Sequence, residues 1–206
     1  MYPGKYAEQN PDRSAFVMAA TGERVSYQEF EARSNRVAHY LADKGLGFQD
    51  HYSIFMENNN RYLESCAAGE RSGLYFTCIN SFLTSDELAY IINNSESQIL
   101  ITSMSKLEAA QEALAQCTAI KEVLVVGAGD ADLPEGMSDF ASTLSKYPET
   151  PLERELLGAA MLYSSGTTGR PKGIVRPLPE QSPNEPLPVI GFLSGLWRYR
   201  LSLIHI

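Results

Sequence analysis

The sequence predicts an α/β protein built on a mostly parallel sheet flanked by helices. Short β-branched or aromatic runs alternate with helical patterns through the first two thirds of the chain, and several of those runs are apolar along their whole length. Continuous apolar strands separated by helices are what a sheet covered on both faces requires. Ser/Thr-x-x-Glu patterns mark where several of the helices begin.

Residues 14–18 read as a strand, and Thr21-Gly22-Glu23 turns the chain into Arg24-Val25-Ser26. Ser26 and Glu29 form a capping box, in which each side chain satisfies an orphan N–H at the helix start. The helix that follows puts Phe30, Val37, Ala38 and Leu41 on one face and ends at Gly45. A strand over 52–56 precedes a helix from about Arg61 to Arg71, and residues 75–79 form the next strand. Thr84 with Glu87 repeats the capping box before Leu88, Ile91 and Ile92. A strand at 98–101 follows, then a helix capped by Ser105 with Glu108, then a strand at 122–126 that stops at Gly127.

Residues 127–151 are rich in Gly, Pro and acidic side chains and read as a long surface connection with one short helix. Six of the 11 prolines fall between Pro171 and Pro188. Proline fixes φ and removes a donor, so that stretch is expected to be an extended loop rather than a helix or central strand.

With 206 residues, 44% of them apolar, the chain can bury a real core in one large domain or two small ones. Its 17 basic and 25 acidic residues leave a net charge of −8, which argues against a nucleic-acid protein held by phosphate neutralisation. Local basic residues can still bind a phosphate ligand. Cys66, Cys78 and Cys117 are odd in number and make no C-x-x-C, so neither a disulfide framework nor a structural zinc site is expected. His39, His51 and His205 are scattered and suggest no metal cluster. His51, beside Asp50 at the start of a strand, reads as a turn residue rather than a base, and the first two cysteines read as small buried hydrophobes rather than nucleophiles. No apolar signal core follows Lys5, and the apolar stretch at 187–197 is too short to span a bilayer. A soluble, cytoplasmic protein is the expectation.

Ala160-Met161-Leu162-Tyr163 reads as a strand running straight into Ser164-Ser165-Gly166-Thr167-Thr168-Gly169-Arg170-Pro171-Lys172-Gly173. Glycines let backbone N–H groups approach a ligand closely, hydroxyls add donors, and Lys172 adds a point charge. Together these groups can wrap polyphosphate oxygens with little bulk in the way. The spacing is not that of a Walker A loop, and no G-x-G-x-x-G is present. Glycine and Ser/Thr alone also fit a flexible polar loop; the strand before the segment and the order of its residues favour the phosphate cradle.

This segment resembles the signature phosphate loop of the adenylate-forming superfamily, which includes acyl-CoA synthetases, luciferases and amino-acid adenylation domains. Val25-Ser26-Tyr27 through Ala38, and Gly73-Leu74-Tyr75 through Ile91, are similar to earlier blocks of that family. The flanks at 176–179 and 196–200 look most like bacterial fatty-acyl-CoA synthetases. The resemblance implies a two-step reaction: a fatty acid and ATP give acyl-AMP and pyrophosphate with Mg²⁺, and coenzyme A then displaces AMP. It also implies that Ser164, Ser165, Gly166, Thr167, Thr168, Gly169 and Lys172 hold the β- and γ-phosphates.

The family's adenine and ribose motifs, acidic Mg²⁺ contact, hinge and catalytic lysine are not found after Gly173. No catalytic residue is assigned, and the metal ligand stays open. The expectation is a truncated N-terminal AMP-binding domain over 1–200, with 201–206 outside the resemblance. Such a piece is expected to be marginally stable and inactive alone. The alternatives are a non-catalytic nucleotide- or partner-binding module and one half of a split adenylating enzyme completed by a separate C-terminal chain.

Overall fold

The computed structural model describes residues 2–164, 170–185 and 192, together with the backbone pairing of 204–205. A short helix, α1 (Gly4–Gln9), precedes an antiparallel hairpin of β1 (Ser14–Val17) and β2 (Arg24–Ser26). The chain continues through α2 (Tyr27–Asp43), β3 (His51–Phe55), α3 (Tyr62–Ser72), β4 (Tyr75–Cys78), α4 (Ser85–Asn94) and β5 (Ile99–Ser103). A 3₁₀ turn at Met104–Lys106 leads into α5 (Leu107–Leu114), β6 (Glu122–Val126), β7 (Met137–Asp139) and α6 (Phe140–Leu144). Last come β8 (Ala159–Ala160), β9 (Leu162–Ser164), β10 (Lys172–Ile174) and β11 (Ile204–His205).

Six strands form one parallel sheet in the order β7-β6-β5-β3-β4-β8. Because β3 lies between β4 and β5, the chain leaves it in one direction and returns across it in the other. The period of two along each strand then divides the core. Tyr52, Ile54, Ile99, Ile101 and Leu124 pack with α2, α3 and α6. Phe55, Leu100, Val123 and Val125 pack with α4 and α5. Both faces are dry, as the continuous apolar strands require. The expected parallel α/β sheet is therefore present. The β1–β2 hairpin is a separate matter: it joins β11 in a small second sheet and has its own core around Phe16, Val25 and Phe30.

Two of the three expected capping boxes form. Ser26 Oγ accepts from Glu29 N at 3.1 Å while Glu29 Oε2 accepts from Ser26 N at 2.8 Å. Thr84 and Glu87 repeat the exchange at 3.4 and 2.9 Å. The third does not form, because Ser105 lies in the 3₁₀ turn and its hydroxyl donates to Glu57 Oε2. Burial pushes the Glu57 carboxyl up, but hydroxyls from Ser103 and Ser105 outweigh that and leave it below the usual carboxylate range. The connection at 127–151 contains the expected short helix, α6, and also an edge strand, β7, that its composition hid.

The tie between the two helices on one face and the last strand of the sheet is ionic. Arg71 on α3 has no exposed surface. Its Nη2 donates to both carboxylate oxygens of Glu31 at 2.7 Å, and its Nη1 donates to Ser34 Oγ at 2.9 Å and to Asn35 Oδ1. Its Nε lies 2.9 Å from Glu155 Oε1, a distance that counts for charge although the angle is off the hydrogen-bonding line. Tyr2 donates its hydroxyl to Glu155 at 2.7 Å and sets its ring under the guanidinium at 5.1 Å. Beyond Glu155 the chain passes through Gly158, where a Cβ would collide with the carbonyl oxygens of Gly69 and Leu74. Glycine there lets β8 lie against β4.

Removing one partner of a buried ion pair strands the other. Arg71→Met is expected to lose about 3 to 5 kcal/mol of unfolding free energy, read as a lower urea midpoint at unchanged slope. Glu64, also buried on α3, gives a pH signature. Burial raises its carboxyl to about 7 against the lowering influence of Arg61, Arg33 and Arg36. Between 4.5 and about 7 the folded chain therefore holds a proton that the unfolded chain has released. Its contribution makes stability fall as pH rises through that window, by about 1.4 kcal/mol per whole step of pH. Glu64→Gln is expected to flatten that part of a urea-midpoint profile.

Candidate functional site

The site is built at the carboxyl end of β8. That strand pairs with β4 through Tyr75↔Ala159 and Phe76↔Ala160, and Met161 N donates to Phe76 O at 2.9 Å. There the chain leaves the sheet. The expected strand over 160–163 is thus two strands divided at Met161, whose side chain is buried with Tyr75 and Leu178. Past it, β9 pairs only with β10, in the register Leu162↔Ile174, Tyr163↔Gly173 and Ser164↔Lys172. Within the proline-rich stretch expected to be a loop, β10 fits because Pro171 and Pro177 lie just outside it and it is no central strand.

Ser164 and Lys172 therefore form the last pair of the hairpin, directly opposite each other and both exposed. Residues opposite in an antiparallel pair share a face, so a hydroxyl and an ammonium stand side by side where the connecting segment begins and ends. Tyr163 and Gly173 take the other face. A Cβ on Gly173 would meet the end of the Met161 side chain and the Tyr163 ring, so a larger residue there would make Met161 shift. Of the candidate phosphate ligands, Ser164 and Lys172 are brought together; Ser165, Gly166, Thr167, Thr168 and Gly169 lie outside the described residues.

Three tyrosines hold the hairpin. Tyr75 donates to Arg176 O at 2.5 Å, Tyr90 to Pro171 O at 3.0 Å, and Tyr163 to Asn94 Oδ1 at 2.7 Å. Burial, then the neighbouring Tyr90, pushes Tyr163 up to about 12, which keeps its donor proton in place at neutral pH. The Arg170 guanidinium sits 5.0 Å over the Tyr90 ring. It forms one wall of an open cleft of about 640 Å³ with Tyr90, Asp86 and Asn94. These anchors were missed in the sequence because their partners are distant and mostly backbone carbonyls, which leave no local pattern.

Other sequence candidates fall away from this place. His51 is the first residue of β3 rather than a turn residue. Its ring stacks on Tyr75 at 4.7 Å, and burial lowers its pKa against the raising influence of Glu96 and Asp50. His39 Nε2 bonds to Thr150 O at 2.9 Å. Among the described residues no three His, Cys, Asp or Glu side chains cluster as a metal site, and no helix is long and apolar enough to cross a membrane.

Comparison with known proteins bears on the family and the fold. The profile of the family described as AMP-binding enzyme matches residues 5–178. A 3-oxocholest-4-en-26-oate–CoA ligase of Rhodococcus rhodochrous is 31% identical over 169 residues, which are 80% of this chain and 30% of the relative. Acyl-CoA synthetase 7 of Caenorhabditis elegans is 27% identical over 172 residues, 82% of this chain and 32% of its own length. The fold matches that of an anthranilate CoA ligase crystallised with anthranoyl-AMP, with a TM-score of 0.74 at 20% identity. That match takes in 84% of this chain and 33% of the other. The chain thus spans about 30% of the length of these curated relatives.

Tyr90→Phe removes the bond to Pro171 while keeping the ring under Arg170. One such bond is worth about 1 kcal/mol. The β9 and β10 amides are then expected to exchange about fivefold faster, with exchange in β3 and β5 unchanged.

Proposed function

Because the chain belongs to the AMP-binding enzyme family, we propose that the β9–β10 hairpin holds the β- and γ-phosphates of ATP in an acid–CoA ligase. The observation that carries this reading is the pairing of Ser164 with Lys172 at the two ends of a Ser/Thr/Gly-rich segment. The hydroxyls, backbone N–H groups and ammonium of this segment are the donor types a phosphate takes, and Lys172 has no ion pair among the described residues to compete with that ligand.

In the proposed reaction a carboxylate oxygen attacks the α-phosphorus of ATP. The bond to the bridging oxygen breaks, and pyrophosphate leaves. Charge grows on the departing group, so donors fixed around it lower the barrier by electrostatic stabilisation. The thiol of coenzyme A then attacks the acyl carbon and expels AMP, leaving the thioester. Mg²⁺, when bound, would neutralise phosphate charge; no described residue is assigned to it. A fatty acid or similarly apolar carboxylic acid is the proposed substrate, a reading supported by the sequence around 176–179 and by the acids named for the relatives.

Residues 1–200 are read as part of an N-terminal AMP-binding domain, with 201–206 outside it. No residue here is assigned to activating the acyl carbon or binding adenine, and the curated relatives are about three times longer. Turnover by this chain alone is therefore not expected.

Lys172→Ala is expected to weaken ATP binding about tenfold, or about 1.4 kcal/mol, while leaving AMP affinity unchanged. Titration calorimetry with each nucleotide reads the difference. Equal losses for ATP and AMP would overturn the phosphate assignment, as would no loss for either. Pyrophosphate release with ATP, coenzyme A and a panel of fatty acids tests the second part. Release that Lys172→Ala abolishes would show that this chain suffices for the adenylation step.

A further inference from the structure

Cys66 and Cys78 do not behave as the two buried hydrophobes expected from the sequence. Cys66 lies on α3 and is half-buried; Cys78 ends β4 and is exposed. Their sulfurs are 3.6 Å apart. A disulfide needs about 2.0 Å, so a small rotation of two side chains separates the thiols from the bond. Only Gly73 and Leu74 join α3 to β4, and Gly73 takes φ +69° to make that turn. The two elements are thus held side by side whatever the redox state.

The environment divides the roles. The two thiols share an S–H···S contact in which either can donate, and the Tyr62 hydroxyl donates to Cys78; together these outweigh burial and lower the Cys78 thiol. The same hydrogen bond, then burial, pushes Cys66 well up. Cys78 is the accessible, readily ionised thiol that meets an external reagent, and Cys66 lies behind it. Cys117, the third thiol, is half-buried on another part of the fold and donates to Ala113 O at 3.3 Å.

We propose that Cys66 and Cys78 form a redox-sensitive dithiol site, in which Cys78 first attacks a low-molecular-weight disulfide and Cys66 resolves the adduct. The Cys78 thiolate forms a bond to one sulfur of oxidised glutathione, whose S–S bond breaks and releases one glutathione thiolate. Cys66 gives its proton to water and attacks the Cys78 sulfur, and the second glutathione thiolate leaves. The protein loses two protons and two electrons, and glutathione disulfide, taking both, ends as two thiols. A transient bond of this kind is the usual form of a disulfide in a reducing compartment. The site lies on β4, the strand beside β8, so oxidation would fasten α3 to the strand from which the candidate hairpin is suspended.

The test treats the folded chain with oxidised glutathione near neutral pH. Free thiols are expected to fall from three to one and the intact mass to drop by two hydrogens. Tryptic peptides 62–71 and 72–106 should be joined, peptide 107–121 should stay free, and dithiothreitol should reverse the change. Cys66→Ser should stop at glutathione on Cys78, and Cys78→Ser should react at least about tenfold more slowly. The folded chain should close the bond at least about tenfold faster than the same chain in denaturant. Any one of three results overturns the proposal: a link through Cys117 or between chains, no link at all, or equal rates in the folded and denatured chain.

Discussion

The guanidinium of Arg71 is the group around which the rest of the chain is arranged. Burying a full charge costs several kcal/mol unless it is paired with opposite charge, so its partners are not free to drift. They come from three places: Glu31, Ser34 and Asn35 on α2, Glu155 before β8, and Tyr2 near the start of the chain. Two carboxylates for one cation would leave a buried negative excess. The Tyr2 hydroxyl offsets it by donating to Glu155. Apolar packing alone could slide α2 along α3; a bidentate pair sets their register.

The same cluster decides where the last strand of the sheet can lie. Two residues of β8 give little apolar area, and Ala159 and Ala160 have no bulk with which to choose an edge. Position comes from outside the strand. Glu155 is held by Arg71, Leu156 N donates to Arg71 O at 3.1 Å, and Gly158 N donates to Glu70 O at 2.9 Å. Gly158 then removes the side chain that would hold β8 away from the backbone of α3 and β4. A hairpin attached to such a strand inherits its placement from a charge buried at the helix interface.

Much of this architecture was legible because it follows from local rules. The whole-length apolar runs at 99–101 and 123–125 predict a sheet covered on both sides, and alternate residues of those runs do face the two layers. Ser26–Glu29 and Thr84–Glu87 predict helix starts because capping needs only four residues. Ser105–Glu108 has the same spelling and fails, since Glu57 takes the serine hydroxyl from outside the helix. Long-range competition of that kind is invisible to a local pattern. So are α1, a helix of six residues whose Tyr6 packs against Tyr27, and β7, whose three residues are all half-buried. At the site, residue types pointed to Ser164 and Lys172. Their cross-strand pairing depended on a hairpin that the run at 160–163 disguised as one strand.

The way the hairpin is held also suits an anionic ligand better than a network of ion pairs would. A carboxylate on Lys172 or Arg170 would fix the loop but neutralise the charge on which the proposed phosphate contact depends, and the chain already carries a net charge of −8. Uncharged groups hold it instead. Tyr75 donates to the carbonyl of Arg176 just past β10, Tyr90 to that of Pro171 just before it, and Tyr163 to the side-chain amide of Asn94. Arg170 rests on the face of Tyr90, a contact that orients the guanidinium without cancelling its charge. Hydroxyl-to-carbonyl bonds are insensitive to salt and to pH through the neutral range, whereas an exposed ion pair weakens with ionic strength. The attachment of the hairpin can therefore stay fixed under conditions that screen the proposed attraction between Lys172 and a phosphate, so that holding the hairpin and the proposed binding of an anion respond to salt independently.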